Sequence, residues 1–282
     1  MTTVTGSQKE THTHRSADAK KGRKFKDLFF LSTSIIVGLT VALYLRDTLA
    51  FRKVVHSEVP LRSFYDLIWI LLAALGFGAS KRLFHLIFYK PCLARLEKKN
   101  IPDMEVLKTK LTKNLFDAVW YFSMFVLGLF VSRNDPNMPF FYWGSGSWDS
   151  LGNNWPNHNF GLLGRVYFIL HLGHHYHNLI HHSIAMKDIG NYHELILHHV
   201  VTTSTTTLAY FINFEEYALF TLLSHDISDS ILTFAKFTRD ISLPSIVVNT
   251  SFSMIVISWI GFRLSLAPKC YWIGTLRLLY WK

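Results

Sequence analysis

Charge is what this sequence has least of. Asp, Glu, Lys and Arg make up 17% of its 282 residues, against roughly 25% in soluble domains, too few to cover a water-facing surface. Acid is scarcer than base, 19 residues against 29, which leaves a net charge of +10. That excess would suit nucleic acid, but the cations sit beside apolar segments, where they set membrane topology and meet anionic headgroups or phosphates. A nucleic-acid partner is therefore not expected. Cysteine is nearly absent: Cys92 and Cys270 lie far apart among apolar or basic neighbours, which excludes a disulfide framework and a cysteine metal site. Half of the residues are hydrophobic, with 23 Phe, 12 Tyr and 8 Trp, which excludes a disordered or fibrous chain. What is present in quantity is long apolar runs, the mark of a polytopic, all-helical membrane protein.

Residues 1–26 are polar and too poor in apolar side chains to bury a core, and read as a disordered tail. Seven apolar runs follow, at about 28–44, 64–80, 115–131, 164–185, 194–214, 217–237 and 244–266. The fourth to sixth carry His, Thr, Asn and Asp, yet each is near the ~20 residues a bilayer requires. The organisation expected is a tail over 1–26, an extra span with its outer loop over 27–62, a second span with a basic linker over 63–108, and a main domain over 109–282. Lys20, Lys21, Arg23, Lys24 and Lys26 precede the first span, and Lys81, Arg82, Lys90, Arg95, Lys98, Lys99, Lys108, Lys110 and Lys113 fill the second connection. The positive-inside rule places both, and with them the N-terminal tail, in the cytosol. The segment 133–159, with Trp143, Trp148 and Trp155 but few cations, falls on the opposite side. Arg46, Arg52, Lys53 and Arg62 go against this assignment, but the longer cationic connection outweighs them.

Ten of the fifteen histidines lie between His171 and His225. His171, His174, His175, Asn178 and His182 share one helical face, and ionisable groups in a membrane helix turn inward. That face is either a seam of helix-to-helix hydrogen bonds or the wall of a water-filled substrate cavity. A sharper alternative reads His171-Leu-Gly-His174-His175 and His177 to His182 as the histidine boxes of a membrane di-iron desaturase or hydroxylase. Two boxes crowded onto one helix depart from that pattern, and no metal site is expected.

From His198 to Lys236 the chain reads HHVVTTSTTTLAYFINFEEYALFTLLSHDISDSILTFAK. It resembles the ceramide synthase family, whose TLC domain carries a motif that begins HH and closes L-H-D-x-S-D-x-x-L-E-x-x-K. His198, His199, Tyr210, Asn213, His225, Asp226, Ser228, Asp229, Leu232 and Lys236 match without a gap. The likeness extends to Lys90, Pro91, Lys113, Trp120 and Tyr167, and so covers roughly residues 80–266. Departures are Ala209 for Ser, Glu216 for Arg, Ala218 for Gly, Thr233 for Glu, and a Lys187-Asp188 pair about three residues further from the histidines. The family also has one more span beyond the last residue here.

The resemblance implies a TLC-type bundle around a polar cavity, and acyl-CoA-dependent N-acylation of a sphingoid base to (dihydro)ceramide in the endoplasmic reticulum membrane. Acyl-CoA would be a co-substrate, with no tightly bound cofactor, and the chain would act among membrane lipids, alone or in a homo- or hetero-oligomer. Physically, acyl transfer to an amine needs a base or nucleophile, which His198 and His199 supply. Asp226 and Asp229, three apart on a helix, would both point inward, where they need a partner such as His198, His199 or a substrate amine, and would orient those imidazoles. Tyr210, Asn213, His225, Lys236, His171, His174 and His175 are candidate substrate-binding residues. The hydroxyls from Thr202 to Thr207 either bond back to the carbonyl four residues earlier or line a path for a lipid headgroup. Lys187, Lys236 and Arg239 either attract the phosphates of coenzyme A or only set topology. A second class, a non-catalytic TLC-domain protein that binds or senses lipid, is motivated by the departures from the motif.

Overall fold

The structure, a computed structural model, describes residues 65–97, 104–153, 155–158, 160–185, 192–241 and 243–279. The N-terminal tail, the first expected span and Lys187-Asp188 lie outside the described residues. Within them the chain is all helix with no strand: α1 Asp66–Glu97, α2 Met104–Ser132, α3 Gly161–Ala185, α4 Tyr192–Phe211, α5 Glu215–Asp240, α6 Ser245–Ser258 and α7 Ala267–Leu279, with a π-helical stretch, Trp259–Leu266, joining the last two.

The basic connection expected between the second and third spans is largely helical, because α1 runs on to Glu97 and α2 begins at Met104. Lys, Arg, Leu and Glu are good helix formers, so the linker's charge does not interrupt the helices. The expectation of seven spans narrows in the same way. Among the described residues three helices are long and apolar enough to cross a membrane: Asp66–Phe88, Thr109–Ser132 and Ser245–Cys270. The segments 164–185, 194–214 and 217–237 are helical as expected, but their His, Thr and Asp hold them below that apolarity.

Helix α5 packs chiefly on α2 and then on α6, while α1 packs on α3 and α2. α3 also takes α4 and touches α2, whereas α4 makes little contact with α5. The α1–α3 contact is close because Gly173 has no side chain: a Cβ there would lie 2.6 Å from that of Ala73 and 2.9 Å from its backbone. Tyr167, Phe168 and Leu172 of α3 share one core with Tyr210, Phe211, Leu219, Phe220 and Leu223.

At one end, the loop from Arg133 to Phe160 closes over the helix termini. Tyr217 Oη donates to the Leu151 carbonyl at 3.0 Å, Trp155 Nε1 to that of Ile212 at 3.2 Å, and Asn213 Nδ2 to that of Pro156 at 3.2 Å. Asn213 itself adopts φ +59° between α4 and α5, a conformation Asn tolerates better than most residues. At the opposite end Lys110 meets Asp240 at 3.5 Å and Lys81 meets Asp117 at 3.8 Å.

Candidate active site

The shared face of α3 is buried as its spacing demands. His171, His174, Asn178 and His182 are all under 10% exposed, and His175 is half-buried. His171 Nε2 lies 2.9 Å from Asp226 Oδ2, and the Tyr167 hydroxyl donates to the same oxygen at 3.5 Å. Asn178 Nδ2 lies 2.7 Å from His174 Nε2. The rings of Phe77, Trp120 and Tyr121 pack around His174 with centroids 4.7, 5.5 and 5.4 Å away.

Asp226 and Asp229 do not share a partner. Asp226 is 2% exposed and bonds α3, whereas Asp229 bonds the Arg263 guanidinium in the π-helical stretch. The expected partners of these carboxylates, His198 and His199, sit on α4, which packs on α3. The His199 ring stacks on that of His182 at 4.6 Å with an interplanar angle of 13°, and His198 beside it is exposed. The two halves of the motif are therefore bridged by α3, whose His175 is within electrostatic reach of His171, His198, His199 and His225. The correction has a simple cause: spacing specifies which residues share a helix face, while the helix opposite is chosen by the packing of the whole bundle.

The other candidates fall into distinct places. Tyr210 is fully buried, and its hydroxyl donates to Asp66 Oδ2 at 2.7 Å; Asp66 in turn bonds Arg165. That cluster ties the starts of α1 and α3 to the end of α4 and holds a carboxylate at the α1 N-terminus, where the helix dipole favours it. Asn213 is the turn residue already described. His225 Nδ1 donates to the Thr221 carbonyl at 2.8 Å, one turn earlier on its own helix. Lys236 is exposed at the basic end, within electrostatic reach of Lys113, Asp229 and Asp117. Thr205 and Thr207 bond back to the carbonyls of Val201 and Thr203 at 2.8 and 2.6 Å, as expected of hydroxyls with no water to bond.

Sequence reasoning missed Asp66, Arg165 and Arg263. The signal for the last was present, a lone arginine inside the seventh apolar run, where a charge needs a partner. It also missed a polar clasp at the loop end of the bundle. His158 Nε2 is 2.8 Å from Asp135 Oδ2, and its Nδ1 is 3.4 Å from Glu216 Oε1. Glu216 Oε1 accepts from Asn137 Nδ2 at 2.8 Å, and Oε2 accepts from the Gly152 backbone N–H. Burial alone would lower the His158 pKa, but the hydrogen bond it donates to Asp135 and the nearby Glu216 and Asp135 charges raise it. Burial works to raise the Asp135 pKa, and its bonds to His158, Asn137 and Met138 outweigh that and lower it. Burial raises the Glu216 pKa against the opposing pull of His158.

The fold and site thus define an all-helical membrane protein with a seam of buried imidazoles and carboxylates between its polar helices. Residues 110–282 match the TLC domain, and the chain belongs to that family. Curated relatives include a protein named ceramide synthase hyl-1 from Caenorhabditis elegans, 28% identical over 55% of this chain and 41% of the relative. Another is named sphingosine N-acyltransferase-like protein FUM17, from Gibberella moniliformis, 22% identical over 72% of this chain and 51% of the relative. A third, ASC1-like protein 1 from Oryza sativa subsp. japonica, is 25% identical over 58% and 52%. The chain spans about half the length of the curated relatives it matches.

Proposed function

We propose that this chain transfers a fatty acyl group from acyl-CoA to the amine of a sphingoid base, giving (dihydro)ceramide in the endoplasmic reticulum membrane. The observation that carries the reading is the HH…HDxSD motif on α4 and α5, joined through the buried histidines of α3 and set in a TLC domain. The names of the curated relatives support the same substrates.

The basic end of the bundle is taken as cytosolic, with α3, α4 and α5 crossing the membrane beside the three apolar helices. His182 and His199 then lie toward the cytosol, within electrostatic reach of Lys113, where the phosphates of coenzyme A would arrive. His199 Nε2 is buried without a hydrogen-bond partner, so one imidazole of the motif pair is free to take the ammonium proton of the base or to attack the thioester carbon. The amine nitrogen bonds the acyl carbon, the carbon–sulfur bond breaks, and the CoA thiolate leaves with a proton. Asp226 fixes the tautomer and orientation of His171 on the seam that joins the two halves of the motif, and Asp229 pairs with Arg263. The reaction requires no tightly bound cofactor.

The test is expression in cells without endogenous ceramide synthesis, with labelled sphingoid base and acyl-CoAs of graded length. The expected result is labelled ceramide that disappears in His198→Ala and His199→Ala forms which still insert. Full activity in both variants refutes the mechanism. A second reading, lipid binding without turnover, is favoured by Glu216, which is engaged in the loop clasp where the family has Arg; it predicts retained lipid and no product from well-inserted protein.

A further inference from the structure

Between α1, α2 and α5, helix α3 brings three imidazoles together: one ring nitrogen from each of His171, His174 and His175 lies within 4.8 Å of the others. Among the described residues this is the one such group of three. Adjacent donors around a four-coordinate zinc ion, each at 2.0–2.1 Å, stand about 3.4 Å apart.

The hydrogen bonds around the cluster are selective. His171 donates from Nε2 to Asp226, and His174 Nε2 faces the Asn178 side-chain amide at 2.7 Å, to which it donates when the amide presents its oxygen; in both rings Nδ1 is buried with no hydrogen-bond partner. His175 Nε2 is likewise buried and unpartnered. Leaving a buried polar atom unpaired is costly, and here three histidines on one helix face each keep one nitrogen in that state. In a metal-ligating histidine one ring nitrogen donates its proton to a carboxylate or carbonyl oxygen, which fixes tautomer and ring orientation, and the other offers its lone pair to the ion; the His171–Asp226 pair has this form. His171 and His174 are 1% and 2% exposed, and Tyr167 completes the hold on Asp226.

We propose that His171, His174 and His175 bind a divalent transition-metal ion, with zinc fitting best, and that Asp226 and Asn178 orient the ligand rings. Three imidazoles without a thiolate or ligating carboxylate match a three-histidine zinc site, which leaves a coordination position for water or a small oxygen ligand. A single three-histidine set holds one ion, which separates this site from the two-iron arrangement of the desaturases. The site goes beyond the acyl-transfer reading and does not depend on it.

The test is elemental analysis of the full chain, purified in mild detergent without chelator and without a polyhistidine tag. About one zinc per chain is expected, retained in His181→Ala and lost in His174→Ala and His175→Ala. To separate loss of metal from loss of folding, the wild-type protein is stripped with chelator and titrated with Zn2+, which should raise its thermal midpoint by several degrees. Substitution with Co2+ should produce visible d–d absorption in wild type, and none in His175→Ala. Stoichiometric iron or nickel on the same histidines would support the site and replace the ion. Wild-type protein with less than about a tenth of an equivalent of any metal, and no shift of its midpoint with Zn2+, overturns it.

Discussion

Replacing Glu216 by alanine removes the group on which the loop end of the bundle closes. The carboxylate is 3% exposed and accepts from Asn137 Nδ2 at 2.8 Å and from the Gly152 N–H, with His158 Nδ1 at 3.4 Å. Alanine leaves the Asn137 and Gly152 donors without an acceptor and reduces His158 to its Asp135 partner. Removing one partner of a buried charged pair costs about 3–5 kcal/mol. At about 2–4 °C per kcal/mol for a chain of this size, the thermal midpoint should fall by about 6–20 °C. Glu216→Gln should fall by about half as much, because the amide oxygen still accepts from Gly152 while the amide nitrogen faces the donors of Asn137 and His158. The assay is thermal unfolding of detergent-purified protein followed by tryptophan fluorescence, since Trp148 and Trp155 lie in the loop being released. A Glu216→Ala midpoint within about 1 °C of wild type would refute the clasp.

The same clasp carries a pH dependence with a definite sign. His158 has its pKa raised in the folded protein, so its contribution is fully present below its unfolded value of about 6.5 and is lost as pH rises through the folded value. Asp135 has its pKa lowered, so its contribution is present above its unfolded value of about 3.9 and is lost as pH falls through the folded value. Glu216, whose pKa burial raises, adds a loss in the alkaline direction that begins above its unfolded value of about 4.3, so wild type should be most stable at about pH 4 and lose stability on the alkaline side. His158→Ala should be less stable near neutral pH and lack the His158 part of the alkaline decline, keeping the part that comes from the buried Glu216.

Three further outcomes are expected. Asp226→Asn should leave insertion intact and reduce acyl transfer by about 100-fold or more, as in other sites where a carboxylate fixes a histidine tautomer; unchanged turnover in the reconstituted assay would remove that role. Tyr210→Phe deletes a hydrogen bond to the buried Asp66 carboxylate and should cost about 1.5–3 kcal/mol, read as a lowered thermal midpoint with the acyl chain-length profile unchanged. Gly173→Val places side-chain atoms where Ala73 already stands, 2.6 Å from the added Cβ; α1 and α3 should separate, giving faster proteolysis of detergent-solubilised protein than Gly173→Ala.

Much of this architecture was legible because membrane helices write their partition in hydropathy and their faces in spacing. The inward histidine face of α3 follows from its period alone, and so does the inward turn of Asp226. What spacing cannot carry is the identity of the opposite wall. Asp226 meets His171, 55 residues earlier in the chain, and Asp229 meets Arg263, 34 residues later, so neither carboxylate bonds the motif histidines of α4. The clasp was illegible for the same reason: Glu216 stands 79 residues from Asn137 and 64 from Gly152, and nothing local to the tryptophan-rich loop announces them. Glu216 was visible only as a departure from the family motif, and the structure gives that departure a structural use.

The division between apolar and polar helices explains how so many histidines can be placed in this bundle. In the apolar stretches of α1 and of the α6–α7 unit only 17% and 11% of residues are buried, and Leu71, Leu72, Leu75, Leu83 and Leu86 of α1 and Ile246, Phe252 and Ile257 of α6 are exposed. An apolar surface of that extent would be untenable in water, and in a bilayer it is the lipid-facing wall. Behind it, α3 and α5 turn their polar faces toward one another and bond across the gap, His171 to Asp226. The π-helical stretch Trp259–Leu266 brings Arg263 to Asp229 from within an otherwise apolar run. Asp226 and Asp229 are thus each matched by a group on a different helix, which makes their placement conditional on the bundle assembling. A chain that pairs these buried charges across helices, with hydrocarbon outside, holds its polar interior together only when folded.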